Sequence, residues 1–559
     1  MSLSIQSKSS FPPSTRRPLP PSISAKRRAV VRGSSSSQFA PRLPAALQVL
    51  HSRDFRNHIF SYLEFAEVAL AGRITPLLGR SGTPSLMYRH KNRITLSKHD
   101  GEQLREAFKI QLSPTNNPWE TILDRADNCF PNLRVLDLSY THNSLISLFS
   151  LPATILPSVT TLDLSYVRLS NPVVVVDTLL SKLTSLENLI LTKCEDIDKS
   201  TLLTIAKRGA NWISLDLGES PAVNVLTLKA LGANCLKLQK LNIGRCSLNQ
   251  KKIRAISRGF PSLTHLDLHT HFPFVSANIE LINLRQLKAL NLSGCYLLNQ
   301  KCIEALGRGC PALTHLNLSW CHRLDNEAAS DIVFSQLTTL HLASSEAISS
   351  ATFTSLGRQC PVLTSLDVSY SHQVDEIVLA AIARAFTLLH TLNLKDCPFV
   401  NKKGLRALTL RYGTLTSLNL SGKNQLKATC WKILLRLSSL TSLDLSSLES
   451  VDSKCLRILS RIPSLTSLNI SDCNRIKETA FQAFAVSKPP LPNLTLLNVA
   501  YCKVTQEIMS SLVLNYPSLT SLDLSFCFPK GDKQIIPSLR AQFPTVKFIK
   551  DEDGIGHCI

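Results

Sequence analysis

Leu313-Thr-His-Leu-Asn-Leu-Ser-Trp-Cys321 decides how this chain folds, because it recurs. It returns as LTSLNISDC at 465–473 and LTSLDLSFC at 519–527, and in looser form sixteen times. The general phrase is Leu-x-x-Leu-(Asp/Asn)-Leu-Ser-x-Cys, and its second leucine runs from Leu136 to Leu522 in steps of 24 to 29 residues, mostly 25 or 26. Self-similarity at that period marks a solenoid built from one supersecondary unit. Within the phrase the second and third leucines alternate with a polar residue, which is the period of a strand with one buried face. The stretch that follows is spaced as an amphipathic helix, as in KCIEALGR at 301–308 and EIVLAAIAR at 376–384. Gly309 and Phe260-Pro261 then turn the chain back. One unit has nothing to bury its leucines against, so stacking must make the core. Sixteen strands at the usual spacing give an inner arc of about 75 Å, long enough to hold a folded partner.

Bulk properties narrow the class. Of 559 residues, 44% are hydrophobic and 18% charged, as in a folded protein. No apolar run approaches the roughly 20 residues that span a bilayer, and no membrane partner is expected. The net charge of +22 is uneven, since residues 1–53 hold nine Lys or Arg and no Asp or Glu. The remaining basic charge is spread along the repeats without a recognised binding motif, so nucleic acid is not the expected partner. Of sixteen cysteines, eight close the phrase (Cys194, Cys246, Cys295, Cys321, Cys397, Cys473, Cys502, Cys527). Single cysteines at a fixed step read as small buried hydrophobes, without the C-x-x-C pairs of a zinc site. A reducing compartment is expected, cytoplasmic or nuclear. The sequons at Asn291, Asn317, Asn419 and Asn469 agree, since glycans there would crowd the expected inner strands. The Ser- and Arg-rich N-terminus leaves organelle targeting open as the alternative.

Four segments follow: 1–42, a basic tail or targeting segment; 43–128, helical; 129–548, the repeats; and 549–559, a C-terminal tail. Asn92–Leu96 reads as a short strand inside the second, and Phe543–Phe548 as an edge strand closing the third.

The phrase resembles the leucine-rich repeat. Its terminal Cys, with connectors such as Arg308-Gly309-Cys310-Pro311, resembles the cysteine-containing repeats of F-box proteins over about three quarters of the chain. The resemblance implies an α/β horseshoe with a parallel inner sheet, outer helices and a small helical N-terminal cap. It also directs attention to Ile59-Phe60-Ser61-Tyr62-Leu63 and the following EFAEVALAG, which look like an F-box. In that family the F-box docks the Skp-family linker of a cullin–RING ubiquitin ligase while the repeats hold a protein substrate. By resemblance Ile59, Phe60, Leu63, Phe65 and Val68 would contact the linker. The sequence departs from the family where His51-Ser52 replaces the usual Leu-Pro, and no tryptophan lies between Arg73 and Arg93. A plain helical cap covering the first repeat therefore stays open, as does a scaffold or inhibitor with no ligase link. Similar proteins also occur as bacterial effectors acting in eukaryotic hosts.

Two sets of repeat positions could meet a partner. The residue between the inward leucines is Asp or Asn in fourteen of sixteen copies, a regularity that points to the repeat itself. The residue before the Cys position varies and carries Tyr140, Tyr166, Trp320, Tyr370, Tyr501 and Phe526, good anchors for a protein if exposed. His265, His269, His271, His315 and His341 cluster in neighbouring repeats but lack the spacing of a metal site. There is no nucleophile elbow, phosphate loop or paired carboxylate, so neither catalysis nor a cofactor is expected.

Overall fold

The computed structural model describes residues 93–95, 134–137, 139, 158–169, 171–270, 281–295, 298, 300–321, 334–345, 348–422, 426–486, 491–528 and 535–549. Among these residues eighteen strands form one sheet, each paired in parallel with the next in the chain. Strands β2 (Val135–Asp137) to β17 (Ser521–Asp523), among them β6 (Lys240–Asn242), β11 (Ser365–Asp367), β12 (Thr391–Asn393) and β13 (Ser417–Asn419), each consist of the second leucine of one phrase and one residue on either side. Two more strands extend the stack. β1 (Arg93–Thr95) sets Ile94 opposite Leu136. β18 (Lys547–Ile549) sets Phe548 opposite Leu522 and is the last strand of the described residues.

The register never slips, and leucine stands opposite leucine from strand to strand, as Leu340, Leu366, Leu392 and Leu418 do. A slip of one residue would turn every leucine to the solvent side, so the hydrophobic pattern fixes the pairing. Leu162 and Leu164 are both buried while Asp163 between them is half-buried, and the pattern repeats down the stack.

Helices return the chain along the other side of the core. Most start on a residue whose side chain accepts from the first turn: Asp198 from Thr201 N–H, Asp375 from Ile377 and Val378, Asn401 from Lys403 and Gly404. Asn224 and Thr227 form a reciprocal capping box. Their ends are tied to the neighbouring repeat. Tyr412 donates its hydroxyl to Ile382 O at 2.7 Å, and Tyr516 does the same to Phe484 O at 2.9 Å. Both hydroxyls add a second donor to a carbonyl in the last turn of the preceding repeat's helix. No described helix is long and apolar enough to cross a membrane.

Candidate functional site

The nine-residue phrase ends in a turn whose chemistry is the same in almost every repeat. The fifth residue, Asp or Asn, accepts the backbone N–H two residues on. The bond runs from Asp163 to Ser165 (2.8 Å), from Asn317 to Ser319 (2.9 Å) and from Asp523 to Ser525 (3.0 Å). All fourteen Asp or Asn residues at this position do so, which assigns the conserved polarity to the turn.

The eighth residue is left-handed. Tyr166, Trp320, Tyr370, Tyr501 and Phe526 have φ between 58° and 63°, and Gly294 and Gly422 occupy the same position in their repeats. For a residue with a Cβ that conformation costs about 1–2 kcal/mol. A second backbone ladder holds it. Trp320 N–H donates to Ala343 O (2.8 Å), Tyr370 to Lys395 O (2.7 Å) and Tyr501 to Ser525 O (2.9 Å) in the next repeat. The signal was available in the sequence: across the sixteen copies this position holds Gly twice and a β-branched residue once, Thr270. Thr270 does not take a positive φ, as expected for a β-branched side chain.

The ninth residue does more than fill space. Every phrase cysteine points its thiol at the carbonyl of the sixth residue in the preceding repeat, Cys194 to Leu164 O at 3.0 Å and Cys527 to Val499 O at 3.1 Å. The other six make the same contact at up to 4.0 Å. Burial pushes the Cys194 thiol up to about 12, so it keeps the proton it donates. All fourteen cysteines among the described residues are free thiols. Serine replaces cysteine at Ser220, Ser345 and Ser371; the first two hydroxyls are buried without a hydrogen bond, and Ser371 donates to Ser369 O of its own turn at 3.4 Å instead of to the preceding repeat. Ser345→Cys is expected to stabilise the protein by about 1 kcal/mol, since a buried unpaired hydroxyl costs about 1–3 kcal/mol. A chemical-denaturation midpoint that stays or falls would defeat this account.

The left-handed residues line the edge of the sheet where the strands end. Trp320, Tyr370, Tyr501 and Phe526 are 42–53% exposed there, and Tyr166 is half-buried. Tyr501 and Phe526, in adjacent repeats, stack with ring centres 4.4 Å apart and planes 13° from parallel. Trp320 and Tyr370 are two strands apart, about 10 Å at the usual spacing, and the residue between them is Ser344, which is buried. The two exposed rings therefore stand on either side of a small buried residue. Lys395 lies over Tyr370 at 5.5 Å and Lys193 over Tyr166 at 5.3 Å. Beyond Lys193 the edge becomes a charge run, with Glu219 bridging to Arg245 at 2.8 Å.

The helix-free face of the sheet carries His265, His315 and His341 along a shallow groove of about 350 Å³. His265 and His315 each have Nδ1 2.8 Å from the preceding threonine hydroxyl. Thr264 and Thr314 donate that hydroxyl to Gln239 O and Lys288 O. Burial, with Lys240 and His315 nearby, pushes His265 down from its ordinary value. His269 is held up by its hydrogen bond to Asp267 at 2.7 Å, and His341 lies 3.5 Å from Asp367. Each is held singly, and among the described residues no three metal-ligating side chains converge. His271, Tyr140 and the linker-contacting candidates Ile59, Phe60, Leu63, Phe65 and Val68 lie outside the described residues.

Comparison with known proteins follows the same lines. Residues 309–333 match a family model described as a leucine-rich repeat. The chain folds as a leucine-rich-repeat solenoid. No curated protein matches it. Among solved structures it is similar to the yeast Rad7 and Elc1 complex, at 21% identity and a TM-score of 0.45, over 69% of this chain and 94% of that one. It is also similar to the TLR13–ssRNA13 complex, at 16% identity and a TM-score of 0.37, over 75% of this chain and 74% of that one.

Proposed function

We propose that this leucine-rich-repeat solenoid binds a protein substrate along its aromatic edge and delivers it, as the recognition subunit, to a cullin–RING ubiquitin ligase. The supporting observation is the row of exposed rings at Trp320, Tyr370, Tyr501 and Phe526. Large aromatic side chains left in water at a turn the backbone already holds are poised as rigid anchors with little entropy left to lose. The role is binding rather than catalysis, and it needs no cofactor. The ligase part of the reading rests on the F-box-like residues Ile59 to Gly72 ahead of the repeats. It places the protein in the cytoplasm or nucleus, a setting suited to its free buried thiols.

The test is co-purification of the full chain with a Skp-family linker, beside the Ile59→Asp/Leu63→Asp variant. Retention of the linker by the native chain and its loss in a variant with unchanged thermal unfolding is the expected result. A folded native chain that retains no linker would remove the ligase and leave a repeat scaffold or inhibitor.

A further inference from the structure

A second surface lies on the helical side, away from the aromatic edge. The helices Val225–Asn234 and Gln250–Gly259 pack side by side at glycines. A Cβ on Gly232 would come within 2.7 Å of the Gly259 backbone, so only glycine lets the two approach this closely. The groove between them is about 540 Å³. Its floor is apolar, with Val225, Ala233 and Leu236 from one side and Ala255 and Pro261 from the other. Leu236 is 65% exposed. Its walls are Lys229, Lys251, Arg254 and Arg258, all exposed, and no acidic residue lines it.

Some cations elsewhere on this side find acids, while others, such as Lys402 and Arg406, are in no ion pair with Asp or Glu among the described residues. Arg208 pairs with Asp177 at 3.0 Å, and Arg308 lies 3.9 Å from Glu304 on its own helix. Among the described residues, none of the four groove cations is in an ion pair with Asp or Glu. Four like charges around an apolar floor repel one another and expose the floor, and one ligand relieves both. That ligand is acidic and carries apolar side chains.

We infer that this groove docks an acidic, amphipathic segment of a partner protein, its carboxylates on Lys229, Lys251, Arg254 and Arg258 and its apolar face on Ala233, Leu236 and Ala255. A nucleic-acid backbone would satisfy the cations but leave the floor wet. Two of the chain's own segments are excluded, the N-terminal one by charge and the acidic C-terminal run by reach. Residues 1–53 hold no acid. Asp551, Glu552 and Asp553 follow Ile549 of β18 by at most four residues, a span of about 13 Å. β18 is twelve strands on from β6, about 58 Å along the sheet.

The experiment uses the full chain and a fluorescent synthetic helix with leucines on one face and glutamates on the other. Arg254→Glu/Arg258→Glu is expected to weaken binding at least tenfold with unchanged thermal unfolding, because both side chains are exposed. Leu236→Gln should weaken it severalfold. Lys402→Glu/Arg406→Glu, a reversal on another helix of the same side, should leave it intact. Absence of native binding, or equal loss in the Lys402 variant, would overturn the groove. So would equally tight binding of polyglutamate or of single-stranded RNA. A native chain that self-associates until Arg254 and Arg258 are reversed would make the occupant a second copy and overturn a separate partner.

Discussion

Leu392→Asp is expected to abolish folding of the repeats around β12, by on the order of 5 kcal/mol or more. Leu392 is fully buried, and its register partners Leu366 and Leu418 are buried on either side. Truncating a leucine in such a place costs about 2–5 kcal/mol through lost burial and the cavity left behind. A carboxylate adds the cost of leaving water without a partner. The total rivals the 5–15 kcal/mol that holds a typical domain together. A solenoid distributes that loss unusually, because each repeat contacts only its neighbours. Hydrogen exchange should therefore show protection lost first across residues 366–418, with the ends of the stack retaining theirs. Leu392→Ala should keep one cooperative transition at a lower denaturant midpoint. An aspartate variant with native exchange across β11 to β13 would mean that the leucine ladder does not hold the sheet.

The leucine ladder was legible because its physics is local and repeated. A strand of three residues carries little signal alone, but sixteen copies in one register leave a single way to bury Leu136 through Leu522. The same logic reached outward to Arg93–Thr95, where the alternation in NRITL matched a strand that pairs with β2. It reached only part of the turn. The cysteines were legible as buried, yet their role as donors to the preceding repeat depends on which carbonyl lies 3.0–4.0 Å away. The fourteen Asp and Asn residues looked like a surface ladder, and their bond to the N–H two residues on became plain only with the backbone in place. The aromatic edge was legible by position, but the stacking of Tyr501 on Phe526 across 25 residues was not. The basic groove was hidden for a related reason. Lys229 sits on one helix and Lys251, Arg254 and Arg258 on the next, so along the chain their charge looked evenly spread.

Replacing both stacked rings, Tyr501→Gly/Phe526→Gly, is expected to cut affinity for the protein substrate about 100-fold or more while stability changes by no more than about 1 kcal/mol. Buried aromatic anchors at interfaces commonly carry about 2 kcal/mol or more each, and tenfold in affinity is about 1.4 kcal/mol. Stability should move little because two terms oppose. Loss of the stacked pair costs about 0.5–1.5 kcal/mol. Glycine removes the left-handed strain of two residues at φ 59° and 58°, about 1–2 kcal/mol each, and its freer unfolded chain takes back about 0.5–1 kcal/mol at each. Gly294 and Gly422 show that the turn accepts glycine in native repeats. This separates recognition from packing. If the rings served the fold, the melting temperature would fall with them. If they are anchors, the variant melts like the native chain, and quantitative crosslinking in cells shows its partners lost. A variant that melts normally and keeps the native set of crosslinked partners would remove Tyr501 and Phe526 from the binding surface and move the search to Trp320 and Tyr370.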